Sequence, residues 1–275
     1  MNYRSKSVIH LACASLAFLS VSGCGLSEYE RRIDAQRARI DKFDALNKSL
    51  DDPIDTPTIQ ITKTQDPAKD GPKDAPKDVP KDAPKEDVKA WPDELFLRLP
   101  KGYSTTPRDK ESYHARLPVF RYSTGDPEFS ILVAAALIQE PRQANEFGRY
   151  PPQSFRAFAR EALIKFLNPP KNEPVAFPEK VKYLSRAFVA FSAYPDEEAS
   201  VKYEYTQYTD KNRKHTFDVY FHEKHGRQVC IAFHRAGWPA DKVAYDKMVE
   251  ACLGTLDVST DAPRKRAQFK KTKNP

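Results

Sequence analysis

His222-Glu223-Lys224-His225 carries residues of metal-ligand type. The run is not H-E-x-x-H, and it falls between two strand-like segments rather than on a helix, so no single face turns both imidazoles toward one ion. It reads as a solvated turn, and no metal is assigned. Thr216 and His234 are expected as cross-strand neighbours, with Asp218 on the same face. A hydrogen-bonded His–Asp pair there would be a base, but the sequence sets no serine or cysteine nucleophile beside it. Tyr203, Tyr205 and Tyr208 recur along the preceding strand. They are either an aromatic face for a glycan or peptide or simply residues of high β-propensity. No G-x-S-x-G, Walker loop or dinucleotide fingerprint occurs. No catalytic residue and no cofactor is assigned.

The cysteines carry the most specific chemistry. Arg4 and Lys6 precede an apolar run from Val8 to Ser20. That run is shorter than the roughly 20 apolar residues a membrane-spanning helix needs, and it reads as a signal peptide over residues 1–23. It ends in Val21-Ser22-Gly23-Cys24, which resembles the bacterial lipobox. The resemblance implies diacylation of the Cys24 thiol, cleavage before it, and acylation of the new amino group. Two or three acyl chains anchor a protein stably, where one does so only marginally. The chain is thus expected to be membrane-anchored and extracytoplasmic. Gly25, where the sorting rule of enteric bacteria looks for Asp, favours the outer membrane. Cys13 leaves with the signal, so Cys230 and Cys252 remain, an even pair in an oxidising compartment. A Cys230–Cys252 bridge is expected, fastening the last helix to the sheet. Two buried free thiols are the alternative.

Charge is unevenly placed. Cleavage lowers the formal charge from +7 to +5. Residues 259–275 hold Arg264, Lys265, Arg266, Lys270, Lys271 and Lys273 against Asp261. They account for the whole excess, and residues 24–258 sum to zero. The basic character therefore belongs to a tail, expected to be disordered and able to adhere to an anionic envelope surface. Nucleic acid is not expected as a partner of an exported chain.

Around these residues the chain divides into segments. Residues 24–50 are expected to form a lipidated polar helix with Leu26, Tyr29, Ile33, Ile40, Phe43 and Leu50 on one seam, interrupted by Gln36 and Asn47. The spacing suits self-association as a short coiled coil or a single amphipathic helix. Residues 51–90 read as a disordered linker around a Pro-Lys-Asp repeat running from Pro72 to Asp87. Proline every fourth residue forbids a helix, and the balanced charges suit a long tether.

Residues 91–258 read as one α+β domain. Strands are expected at 95–99, 118–122, 129–138, 184–193, 201–208, 216–222 and 227–234. Phe155, Phe158, Ala159, Ala162, Leu163 and Phe166 recur at helical spacing, and a last helix is expected from Pro239 to Leu253. A three-residue loop, Lys224-His225-Gly226, would pair Phe221 with Val229, Val219 with Ile231 and Phe217 with Phe233. An antiparallel sheet flanked by helices is an α/β/α sandwich. The opening Leu95-Phe96-Leu97-Arg98-Leu99-Pro100-Lys101-Gly102-Tyr103 and the closing hairpin and helix resemble the PsbP/DcrB-like fold. That resemblance implies a non-catalytic binding or assembly role. A lipid-anchored, non-catalytic module on a long tether and a cell-envelope hydrolase with an unrecognised site are the two functions left open.

Overall fold

Residues 215–236 have large apolar side chains at both odd and even positions, so a strand pair built from them is covered on both faces. The computed structural model describes residues 27–38, 40–41, 44–45, 47–62, 85–89, 91–103, 117–124, 128–139, 148–167, 182–190, 200–210, 214–237, 239 and 241–273. The expected signal segment, Cys24 and the repeat up to Pro84 lie outside them. The described residues fall into two units that divide between Lys48 and Ser49.

In the first unit, residues 27–38 are helical (α1). Glu28 pairs with Arg31 and Arg32 one turn on, at 3.1 and 3.3 Å. Of the seam residues, Tyr29 and Ile40 are exposed and Ile33 is half-buried.

The second unit centres on an antiparallel hairpin of β10 (His215–Lys224) and β11 (Arg227–Ala236). The expected register is corrected by one residue. Lys224 faces Arg227 across a two-residue turn, with His225 at φ 52° and Gly226 at φ 71°. Both central residues are left-handed, as a type I′ turn requires, and its twist matches that of the strands. Phe221, Val219 and Phe217 therefore lie opposite Cys230, Ala232 and His234. With both faces buried there is no polar side to penalise the slip, so the turn decides.

Strands β5 (Val119–Tyr122), β6 (Phe129–Ile138), β8 (Leu184–Val189) and β9 (Ser200–Thr209) complete the sheet in the order β5-β6-β11-β10-β9-β8. β7 (Arg149–Tyr150) adds to β6 in parallel. Helix α2 (Pro152–Phe166) covers one face, burying Phe155, Ala159, Ala162 and Leu163 against Leu132, Ala134, Cys230, Ala232 and Val219. Small Cys230, Ala232, Ala134 and Ala136 make room for it. A fully buried Phe or Leu contributes about 1.5–3 kcal/mol there. Helix α3 (Lys242–Gly254) helps cover the other face, with Val249, Cys252 and Leu253 packed among Ile231, Phe233, Tyr203 and Tyr220. It starts three residues after the expected Pro239, because the Asp241 side chain caps it, accepting from the Ala244 amide at 2.9 Å.

Two boundaries change. The stretch 51–90 is not a linker from end to end. β1 (Leu50–Pro53) pairs with β4 (Arg98–Pro100), and Ile54 sits in the core beside Leu97 and Leu99. β2 (Thr58–Thr62) pairs with β3 (Lys85–Lys89), which brings the two ends of residues 63–84 side by side. Apolar Leu50 and Ile54 supply the burial that the proline-rich composition concealed. The expected disordered tail is likewise corrected: residues 262–273 form a helix, α4 (Ala262–Lys273). Ala262 is fully buried, Lys265 pairs with Asp257, and Arg266 donates to the Leu95 carbonyl. No described helix is long and apolar enough to cross a membrane.

Candidate functional site

The register slip redistributes every polar candidate. Successive residues of β10 and β11 point to opposite faces, so Asp218 and His234, expected together, are parted. Asp218 lies on the α3 side. It accepts from Tyr205 Oη at 2.9 Å, Gln207 Nε2 at 2.8 Å and Tyr245 Oη at 2.9 Å, and meets Arg235 Nε at 3.4 Å. Both members of the Asp218–Arg235 pair are buried. Burial and the adjacent carboxylate push the Tyr205 and Tyr245 hydroxyls up. The carboxylate's acceptor capacity is used internally, and the cluster ties α3 to β9, β10 and β11.

His234 lies on the α2 side, its Nε2 3.1 Å from His215 Nδ1, and packs against Phe166 and Phe217. Its Nδ1 is buried with no hydrogen-bond partner. Burial, with help from His215 and Arg121, pushes its pKa down to about 3. Thr216 faces Arg235, not His234. Of the three tyrosines, Tyr203 and Tyr205 belong to the α3 face, and Tyr208 packs into the α2 face. They form no common aromatic surface. Tyr203 donates to the Leu253 carbonyl at 2.6 Å.

The expected disulfide is also corrected. Cys230 belongs to the α2-side cluster and Cys252 to the α3-side cluster, and both are buried free thiols. The sheet lies between them, and a bridge needs Cα atoms within about 7 Å with Cβ atoms facing each other. Burial raises both thiol pKa values, which leaves them inert. Of the six basic tail residues, Lys265 and Arg266 are bonded to the domain and Arg264 is exposed. The side chains of Lys270, Lys271 and Lys273 lie outside the described ones.

The His222–His225 run is split. His225 is exposed in the turn, and His222 is buried with Nδ1 2.8 Å from the Lys202 carbonyl. Among the described residues no group of three or more His, Cys, Asp and Glu is placed to hold a metal. His222 instead lines a cleft of about 190 Å³ together with Phe155, Arg156, Glu204, Phe221 and Gln228. Arg156 reaches Glu204 at 2.5 Å and lies over the rings of Tyr183 and Phe221. Gln228 Nε2 donates to the carbonyls of Tyr150 at 2.6 Å and Leu137 at 3.2 Å. Burial lowers the pKa of His222, so it is neutral near pH 7. Ser185 lines the cleft too. This cleft, with several polar side chains in its lining, is taken as the candidate site.

No family model matches the sequence, and no curated protein matches it.

No sequence signal pointed to the cleft. Its walls come from α2, β8, β9 and the β10–β11 hairpin, segments that only the fold brings together. Of the residues the sequence had singled out for chemistry, Tyr203, His222 and Glu223 line it.

Proposed function

We propose that the chain is a lipoprotein, exported, cut before Cys24 and anchored there, whose folded domain is a non-catalytic binding or assembly module of the cell envelope. The observation that carries this reading is Val21-Ser22-Gly23-Cys24 directly after a short apolar run with Arg4 and Lys6 before it. The antiparallel sheet with α2 on one face and α3 on the other supports the PsbP/DcrB-like assignment. The use of Asp218 and Arg235 in internal bonding supports a structural rather than catalytic role for the strongest charge pair.

The tether is reassigned. Because β2 and β3 bring the ends of residues 63–84 together, the stretch between Cys24 and Ser49 is the spacer that leads from the anchor. Its helical residues carry exposed Tyr29 and Ile40, which fits self-association of that spacer. Arg264 and the other bases of α4 add attraction to an anionic surface. Deleting residues 262–273 should then reduce sedimentation with anionic vesicles at low salt and have no effect at high salt.

The decisive test is Cys24→Ala with metabolic palmitate labelling and fractionation. Labelled, membrane-bound wild type and an unlabelled, uncleaved or soluble variant are expected. Palmitate that persists in the variant overturns the reading.

A further inference from the structure

We propose that the outer edge of β8 is a self-association surface, on which a second copy of the chain pairs through its own β8, antiparallel about a two-fold axis at Ala187. The proposal goes beyond the reading of the domain as an envelope module and does not depend on the lipid anchor.

The two ends of the large sheet differ. β5 ends it on one side and is buried along most of its length. β8 ends it on the other, with Leu184, Ser185, Arg186, Ala187 and Val189 exposed and Phe188 half-buried. Successive side chains of a strand point to opposite faces, so β8 is open on both. Leu184 is 43% exposed and Val189 51%. Natural sheets protect such an edge with proline, lysine, a bulge or a covering element. Leu184–Val189 holds no proline and no lysine. Its ladder with β9 runs without a shift from Leu184 opposite Tyr205 to Val189 opposite Ser200. Among the described residues β9 is its only strand partner. A regular, unprotected and largely apolar edge is a template for another strand.

The sequence of the edge selects the occupant. A two-fold axis perpendicular to the sheet keeps the α3 faces of both copies on one side, so only residues of the same face lie opposite each other. Leu184, Arg186, Phe188 and Ala190 belong to the α3 face, where Phe188 and Ala190 pack on the core. Ser185, Ala187 and Val189 belong to the other. An axis at Arg186 sets two guanidinium groups against each other, which is unfavourable. An axis at Ala187 pairs residues 184 to 190 and opposes no like charges. Leu184 then meets Ala190, Ser185 meets Val189, and Arg186 meets Phe188 of the second copy, so both exposed apolar side chains are covered. The Arg186 guanidinium already lies 4.5 Å from the centroid of the Tyr205 ring, and Phe188 of the second copy adds another π face beside it. Residues 24–258 carry no net charge, so two copies do not repel. The seam borders the candidate cleft, because Ser185 lines it, and Val189 of the second copy stands against that side.

The test is disulfide trapping in the detergent-solubilised full-length protein, by mild oxidation and non-reducing electrophoresis. Opposed Ala187 Cα atoms are about 4.5–5.5 Å apart in such a pair, within the roughly 4.4–6.8 Å that a disulfide spans. The two Val189 residues are four positions apart along the strands, about 13 Å. Ala187→Cys should therefore give a linked dimer. Val189→Cys and the wild type should not, since the native Cys230 and Cys252 are buried. Ala187→Lys sets two ammonium groups on the axis. It should weaken the dimer seen by sedimentation equilibrium about fivefold or more. The thermal midpoint should stay unchanged, because the position is exposed. The proposal is overturned by a wild type that sediments only as monomer, by no linkage of Ala187→Cys beyond wild type, or by Val189→Cys linking as readily. A dimer that Ala187→Lys leaves intact also overturns it and assigns self-association to the spacer. Palmitate labelling at Cys24 is read separately, so loss of this surface and loss of the anchor assignment are distinguishable.

Discussion

Asp218→Ala tests the corrected register most directly. The Asp218 and Arg235 side chains are 8% and 6% exposed, and the carboxylate accepts from Tyr205, Gln207 and Tyr245 as well as meeting Arg235. Removing one partner of a buried pair leaves the other charge in a poor dielectric, which costs about 3–5 kcal/mol. The two tyrosine hydroxyls lose acceptors as well, each worth about 0.5–1.5 kcal/mol, although these losses overlap and do not simply add. We therefore expect destabilisation of about 3–5 kcal/mol by urea denaturation followed through intrinsic fluorescence. Asp218→Ala/Arg235→Met removes both charges and should recover a large part of that loss, a coupling of about 1–3 kcal/mol. Asp218→Ala/His234→Leu should show no coupling beyond additivity, because His234 is on the opposite face. The reasoning fails if Asp218→Ala costs less than about 1 kcal/mol, or if Asp218 couples to His234 and not to Arg235.

Other outcomes follow from the same structure. His234 has a folded pKa near 3, below the unfolded value of about 6.5. Above pH 6.5 both states are neutral and the group contributes no slope. Between about pH 6.5 and 3 only the unfolded chain takes up the proton, so stability falls with acidification by up to about 1.4 kcal/mol per pH unit. His222, also lowered by burial, adds to the same slope, and His234→Leu should flatten it in urea titrations from pH 7 to 4. Cys230 and Cys252 should both be free in the folded protein and resist alkylation until it is unfolded; a bridged pair in non-reducing mass spectrometry refutes this. Deleting residues 262–273 removes buried Ala262 and the Lys265–Asp257 and Arg266–Leu95 contacts. It should cost about 1–3 kcal/mol by urea denaturation, and an unchanged midpoint would return the segment to a solvated tail.

Much of the architecture was legible because it is local. The spacing of Phe155, Ala159, Ala162 and Leu163 is a helix whatever surrounds it, and α2 buries those four. The alternation of apolar and turn-forming residues marked β6, β9, β10 and β11. The change of element near residue 239 was read correctly, and only its first turn was misplaced. Composition failed where a few apolar residues decide. Leu50 and Ile54 draw β1 into the core from a stretch rich in proline and charge, and Ala262 does the same for α4.

The candidate site was not legible, and the reason is the register. Sequence periodicity distinguishes the faces of a strand only when one of them is polar. β10 and β11 are buried on both, so their pairing was free to shift until the His225–Gly226 turn set it. That single residue sent Asp218 to Arg235, His234 to His215 and Cys230 away from Cys252. By itself the sequence determined the short apolar run before Cys24, the charge balance and the helix and strand periods, all set by neighbours along the chain. The tertiary structure alone decided which side chains share a face and which distant segments meet around Gln228, because those depend on packing between elements that no local pattern encodes.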